Sequence, residues 1–289
     1  MQRNACRIRD RFGFSIVELL CAVGIVGMLA GLVLPAVQRA RESARCAQCR
    51  SHLREIGVAL HSFEGDRQNL PPGWLLEPTH ASAYGWPTDI LSRIEQSGLA
   101  EKLDRNRVID DARNEAVLRV VPLLTCPSDS EPDRFALYRD EGEHEGYGQT
   151  SHSVLMMLPS ANYVGCFGTH DPDEQDAAAG EGAFIAGRGV RLSEFERGLS
   201  QTILVSERTA RKLPSTWVGF LVKGEDGAAR VTGFAGLGPN RDDADEAEFD
   251  SRHDASINIL WGDGRVDSVS NGIDQTTYRL MAQRRSPRQ

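Results

Sequence analysis

From Phe14 to Val33 nearly every residue is apolar or small. About twenty such residues, rising 1.5 Å each as a helix, cross the hydrocarbon core of a bilayer. The preceding residues carry Arg3, Arg7, Arg9 and Arg11 against a single Asp10, so residues 1–13 are expected to stay cytoplasmic and the rest of the chain to be exported. A cleaved signal peptide has a shorter apolar core ending at a small-residue cleavage site. Here the run continues into Pro35-Ala36-Val37 and a long helical pattern. One residue does not belong in a plain anchor. Glu18 places a carboxylate inside hydrocarbon, at a cost of a few kcal/mol, and such a group marks a functional site by default.

The stretch Gly13-Phe14-Ser15-Ile16-Val17-Glu18-Leu19-Leu20, behind its charged leader, resembles bacterial type IV prepilins and type II secretion pseudopilins. The resemblance implies cleavage after Gly13 by a prepilin peptidase, N-methylation of Phe14, and pairing of Glu18 with the N-terminal amine of a neighbouring subunit. Gly27 and Pro35 fall where pilins carry their mid-helix glycine and helix-bending proline. The implied partners are the peptidase and other pilin-like subunits, and the implied location is the inner membrane, spanned once by residues 14–35. Physical chemistry agrees, because a filament core buries Glu18 only if a cation lies opposite it. A plain signal anchor is the rival reading.

Beyond Pro35 the helical pattern continues. Cys46, Cys49, Leu53, Ile56, Leu60 and Phe63 recur at alternating spacings of three and four, an apolar stripe for packing on a domain. Residues 36–64 are thus expected to form an amphipathic spine, stopped by Gly65 and Leu70-Pro71-Pro72-Gly73. Residues 65–289 suffice for one globular domain. The net charge of −8, with no basic stripe outside the leader, argues against a nucleic-acid partner.

A second resemblance covers most of the chain. Ala40 to Arg45, Gln48-Cys49, Leu53 to His61, Leu70 to Gly73, Trp86 to Leu99, Cys126-Pro127-Ser128-Asp129, Asn162 to Gly165 and Thr202 to Glu207 look like a large bacterial family of prepilin-like proteins. Those proteins carry a domain of unknown function and a C-terminal signature of histidine, nine residues, then Asp-Gly. Here the signature is His253 followed by Asp263-Gly264. The chain departs from the family in reading Asp254-Ala255-Ser256 after His253 and Gly262 before Asp263. Read physically, residues 256–270 form a β-hairpin whose turn, Asp263-Gly264, supplies the positive φ that a tight turn requires. His253 then hydrogen-bonds or caps the neighbouring strand. The alternative is that His253, Asp263 and Glu207 converge into a polar or metal site.

The remaining motifs point to structure. Cys46 and Cys49 have no second pair at zinc spacing, so no metal site is expected from them. In an exported domain, a disulfide joining Cys49 or Cys46 to Cys126 stands beside a bland reading as small buried residues. The acidic run Arg241 to Glu248 offers oxygen ligands for calcium without the spacing of a calcium loop, and a solvated loop is the simpler reading. Trp74, Trp86, Trp217 and Trp261 either line a glycan groove or fill the core. The chain has no Gly-x-Ser-x-Gly, His-Glu-x-x-His or phosphate-binding loop, so no enzyme and no cofactor is expected.

Strands are expected at Gly182 to Ala186, Gln201 to Glu207, Thr216 to Val222 and Ala229 to Phe234. Helices are expected at Thr88 to Leu103 and Leu192 to Glu196, and unpacked segments at Asp140 to His152 and Asp171 to Gly180. Together these give an α+β fold, a long N-terminal transmembrane helix packed on an antiparallel sheet. Two functions fit: a structural subunit of a type II secretion or pilus-like filament, or a membrane-tethered binding module using the leader for targeting alone; a third, a tethered hydrolase, would need a pocket uniting His253 with acidic residues. A binding module should keep its affinity as a soluble fragment.

Overall fold

The computed structural model describes residues 16–140, 153–174, 179–253 and 255–286. Gly13 and Phe14 lie outside these residues, as does nearly all of the Asp140 to His152 segment. The chain divides into two compact units, Met1–Ala44 and Arg45–Gln289.

Helix α1, Ile16–Arg67, carries Glu18 in its first turn and Pro35 in its interior. It is long and apolar enough to cross a membrane, and none of its most apolar window is buried. It ends two residues beyond Gly65, where Gln68 turns to φ 60° and its backbone N–H bonds Glu64 O at 2.6 Å.

In the second unit, β1 (Trp74–Leu76), β2 (Ser82–Gly85) and β7 (Gly219–Leu221) form one small sheet, and β3 (Arg134–Tyr138) pairs with β4 (Val154–Pro159). The central sheet has five strands in the order β10-β9-β6-β5-β8. They are β5 (Tyr163–Gly168), β6 (Ile203–Glu207), β8 (Thr232–Phe234), β9 (Ser256–Trp261) and β10 (Val266–Ser270). Its pairs are antiparallel except β5 with β8. The fold is therefore α+β, a long N-terminal helix packed on a mainly antiparallel sheet domain.

Alternation along the strands explains the layering, since successive side chains point to opposite faces. Tyr163, Phe167 and Leu260 join the core that holds Leu53, Ile56 and Leu60 of α1. Val164, Cys166, Ile257, Ile259 and Trp261 join a second core with Tyr278 of the C-terminal helix Gln275–Met281. Gly57 marks the close approach of α1 to the sheet, because a Cβ there would lie 2.8 Å from Leu260 Cδ1.

Several expected elements differ. Thr88 to Leu103 is broken into Pro87–Ile90, a 3-10 turn at Leu91–Ile94 and Ser97–Ala100, since Glu95 adopts φ 61° and ends the turn. Leu192–Glu194 is a single 3-10 turn. Residues Gly182 to Ala186 bend at Gly182 and Ala183 and hydrogen-bond to the Cys166 and Phe167 backbone, without forming a regular strand. Ala228–Arg230 is a 3-10 turn before β8. Part of the acidic segment expected to be unpacked is ordered, because Asp173 accepts from the backbone N–H of Ala228 and Ala229 at 2.7 and 3.1 Å. All four tryptophans are buried, so none lines an exposed groove.

Candidate functional site

Four chemically active side chains from distant parts of the sequence meet beneath α1. Cys49 lies on the buried stripe of α1 and Cys126 follows the 3-10 turn Pro122–Leu124. Glu207 is the last residue of β6, and His253 precedes β9. One sulfur, nitrogen or carboxylate oxygen from each lies within 4.8 Å of all the others, and all four residues are buried.

The stripe on α1 explains Cys49, which is fully buried, whereas Cys46 is half-buried near Asn258. The expectation that both cysteines would be buried holds only for Cys49. Cys126 is placed by its backbone N–H, which donates to Asn162 Oδ1 at 2.8 Å. Asn162 Nδ2 donates in turn to Asp129 Oδ2 at 2.7 Å, which also accepts from Ala210 N at 2.8 Å. Arg252 pairs with Asp129 and Glu131 at 3.2 and 2.7 Å. The Cys-Pro-Ser-Asp motif is thereby locked to the start of β5 and to the segment carrying His253.

Glu207 is held from three sides. Its Oε2 accepts from Ser251 Oγ at 2.8 Å and from Asn258 N at 2.9 Å, while Oε1 accepts from Asn258 Nδ2 at 2.9 Å. His253 Nε2 lies 3.5 Å from Glu207 Oε1. The Sγ atoms of Cys49 and Cys126 are 2.9 Å apart, and both cysteines are free thiols. Because the two thiols share a hydrogen bond, they ionise unequally. The bonds from Cys49 and then His253 draw the Cys126 thiol down against the effect of burial. The Cys126 bond and burial push the Cys49 thiol up. Burial also holds the neighbouring Tyr163 phenol in its neutral form.

Asp263 is not part of this cluster. It sits in the exposed turn between β9 and β10, where its Oδ1 accepts from Arg265 N at 3.0 Å and Gly264 adopts φ 85°. In the acidic run, Asp243 pairs with Arg241 at 2.7 Å. Glu248 folds inward, its Oε2 accepting from the backbone N–H of Gly236 and Leu237 at 3.0 and 2.8 Å. Sequence reasoning missed Asn162, Ser251 and Asn258. Asn258 left a signal as the one polar residue in the buried run Ile257 to Trp261, and Asn162 as the first residue of a stretch that carries the family resemblance.

Part of the chain is 30% identical over 63 residues to the type II secretion system core protein G of Pseudomonas aeruginosa. That similarity covers 22% of this chain and 44% of the relative, so the chain spans less than half of that protein's length. No solved structure matches the chain. A family model described as protein of unknown function (DUF1559) matches residues 38–276. That span contains Cys49, Cys126, Glu207 and His253 together with the sheet that assembles them, and the chain belongs to this family.

Proposed function

We propose that the protein is a pseudopilin-like structural subunit of a type II secretion or pilus-like filament, cleaved after Gly13 and N-methylated at Phe14. The observation that carries this reading is the first part of α1. Ile16, Met28 and Leu32 are 77%, 73% and 66% exposed, and the large apolar residues between them are exposed on every side of the helix. Water does not tolerate such a surface, so lipid or other helices must cover it. Lipid alone covers the apolar residues but gives no account of Glu18 in the first turn. The amine of a neighbour's Phe14 would neutralise that carboxylate.

On this reading the subunit is inserted once in the inner membrane by residues 14–35, with the globular domain of residues 65–289 exported. Repetition of one head-to-tail contact between subunits then yields a helical filament rather than a closed ring. The similarity to a secretion-system core protein supports a structural role in secretion, and no catalytic step is assigned.

The test is the N-terminal residue and intact mass of protein from cells, with Glu18→Ala compared in sheared filaments. A methylated Phe14 terminus, with Glu18→Ala processed but absent from filaments, is the expected result. An uncleaved Met1 terminus would overturn the reading and leave a membrane-tethered binding module.

A further inference from the structure

We propose that Cys49, Cys126, Glu207 and His253 bind a divalent transition-metal ion, zinc by donor chemistry, in a closed structural site that pins α1 to the end of β6. The site is independent of whether the subunit enters a filament.

Two thiolates, an imidazole and a carboxylate form a four-donor set suited to zinc, which takes sulfur, nitrogen and oxygen ligands tetrahedrally. Zinc bond lengths of roughly 2.0–2.3 Å separate neighbouring ligands by about 3.3–3.8 Å. The 3.5 Å between His253 Nε2 and Glu207 Oε1 already matches. The sulfurs, at 2.9 Å, need to part by less than about 1 Å, a shift within reach of cysteine side-chain rotation.

Charge favours a cation at the same place. Glu207 is 1% exposed, and buried charges are normally paired or bound to metal. The adjacent arginines are turned elsewhere. Arg208 donates to Ser215 Oγ and to the carbonyls of Thr232, Ala247 and Ala229, and Arg252 is held by Asp129 and Glu131. The Ser251 and Asn258 bonds orient the carboxylate, as outer hydrogen bonds do around metal ligands. Cys126 also lines a surface cleft of about 180 Å³ with Asp129 and Asn162. A disulfide would engage only two of the four groups, whereas a metal ion would engage all four. Binding releases the two thiol protons to solvent and involves no oxidation.

The test is metal analysis of the full-length chain, purified in detergent under reducing conditions and loaded with zinc alone or cobalt alone. Expected are about one zinc per chain and a cobalt spectrum with thiolate charge-transfer and tetrahedral ligand-field bands. Chelation should lower the unfolding temperature. His253→Gln should lose the metal while keeping both thiols, and Cys126→Ser should lose the thiolate band. Should Cys126→Ser fail to fold, the cobalt spectrum of the unaltered chain still reads sulfur coordination directly. Three results would each overturn the proposal: free thiols without metal, a Cys49–Cys126 disulfide with a mass lower by two hydrogens, or zinc retained in His253→Gln.

Discussion

The two parts of α1 share one secondary structure and meet opposite fates. Before Ala44 its large apolar residues are exposed, whereas Leu53, Ile56 and Leu60 are 0% exposed. The difference lies in pattern rather than propensity. From Leu19 to Val37 the first part is apolar or small all round, and a helix of that kind has no preferred face to offer a single sheet. The second part confines its apolar residues to one stripe, so a single sheet can bury them. Glycine makes the same point. A Cβ on Gly57 would meet Leu260, while Gly24, Gly27 and Gly31 have nothing within 4 Å.

The sharpest way to break this comparison is to truncate one residue in each part and follow urea unfolding by tryptophan fluorescence, since all four tryptophans lie in the globular unit. Leu53→Ala should destabilise the domain by about 2–5 kcal/mol, as a core truncation does. Leu29→Ala should change it by less than about 0.5 kcal/mol. Equal losses would show that the first part also packs on the domain.

A smaller effect is expected from adding volume. Gly57→Val should cost about 1–3 kcal/mol by overpacking against Leu260, while Gly27→Val should leave the domain unchanged and alter filament recovery instead.

Acid sensitivity separates two carboxylates along the same line. Burial would raise the Glu77 pKa, but bonds from the Thr79 hydroxyl and the backbone N–H of Thr79, Ala81 and Ser82 outweigh it and hold the carboxyl at about 2. A depressed folded pKa gives stability that is fully present above the unfolded value and lost as pH falls through the folded one. The unfolding temperature should therefore fall between about pH 4.3 and 2, and Glu77→Gln should flatten that fall. Glu18→Ala should leave the same acid profile untouched. A steep fall retained in Glu77→Gln would assign the acid sensitivity to other carboxylates.

The α+β class, the long helix and the buried stripe were legible because they rest on local periodicity and on residue types. Thr88 to Leu103 was misread for the same reason, since its apolar spacing is helical while the left-handed turn at Glu95 answers to packing. Within the candidate site, Cys49 and Cys126 stood out as one of two possible disulfide pairs, and Glu207 only as a partner for His253. Nothing local links residues 49, 126, 207 and 253, because the distances between them are set by how β6, β9 and α1 stack.

The sequence by itself determined a membrane-length apolar helix carrying one carboxylate, and the face of α1 that must be buried. Composition and period act over a few turns and require no knowledge of partners. Only the tertiary structure decided that Cys49 rather than Cys46 faces Cys126. It also decided that Glu207 joins His253 while Asp263 stays in a solvent-exposed turn. Those outcomes depend on strand order and register, in which one residue of shift would send Asn258 and its bond to Glu207 to the opposite face of the sheet.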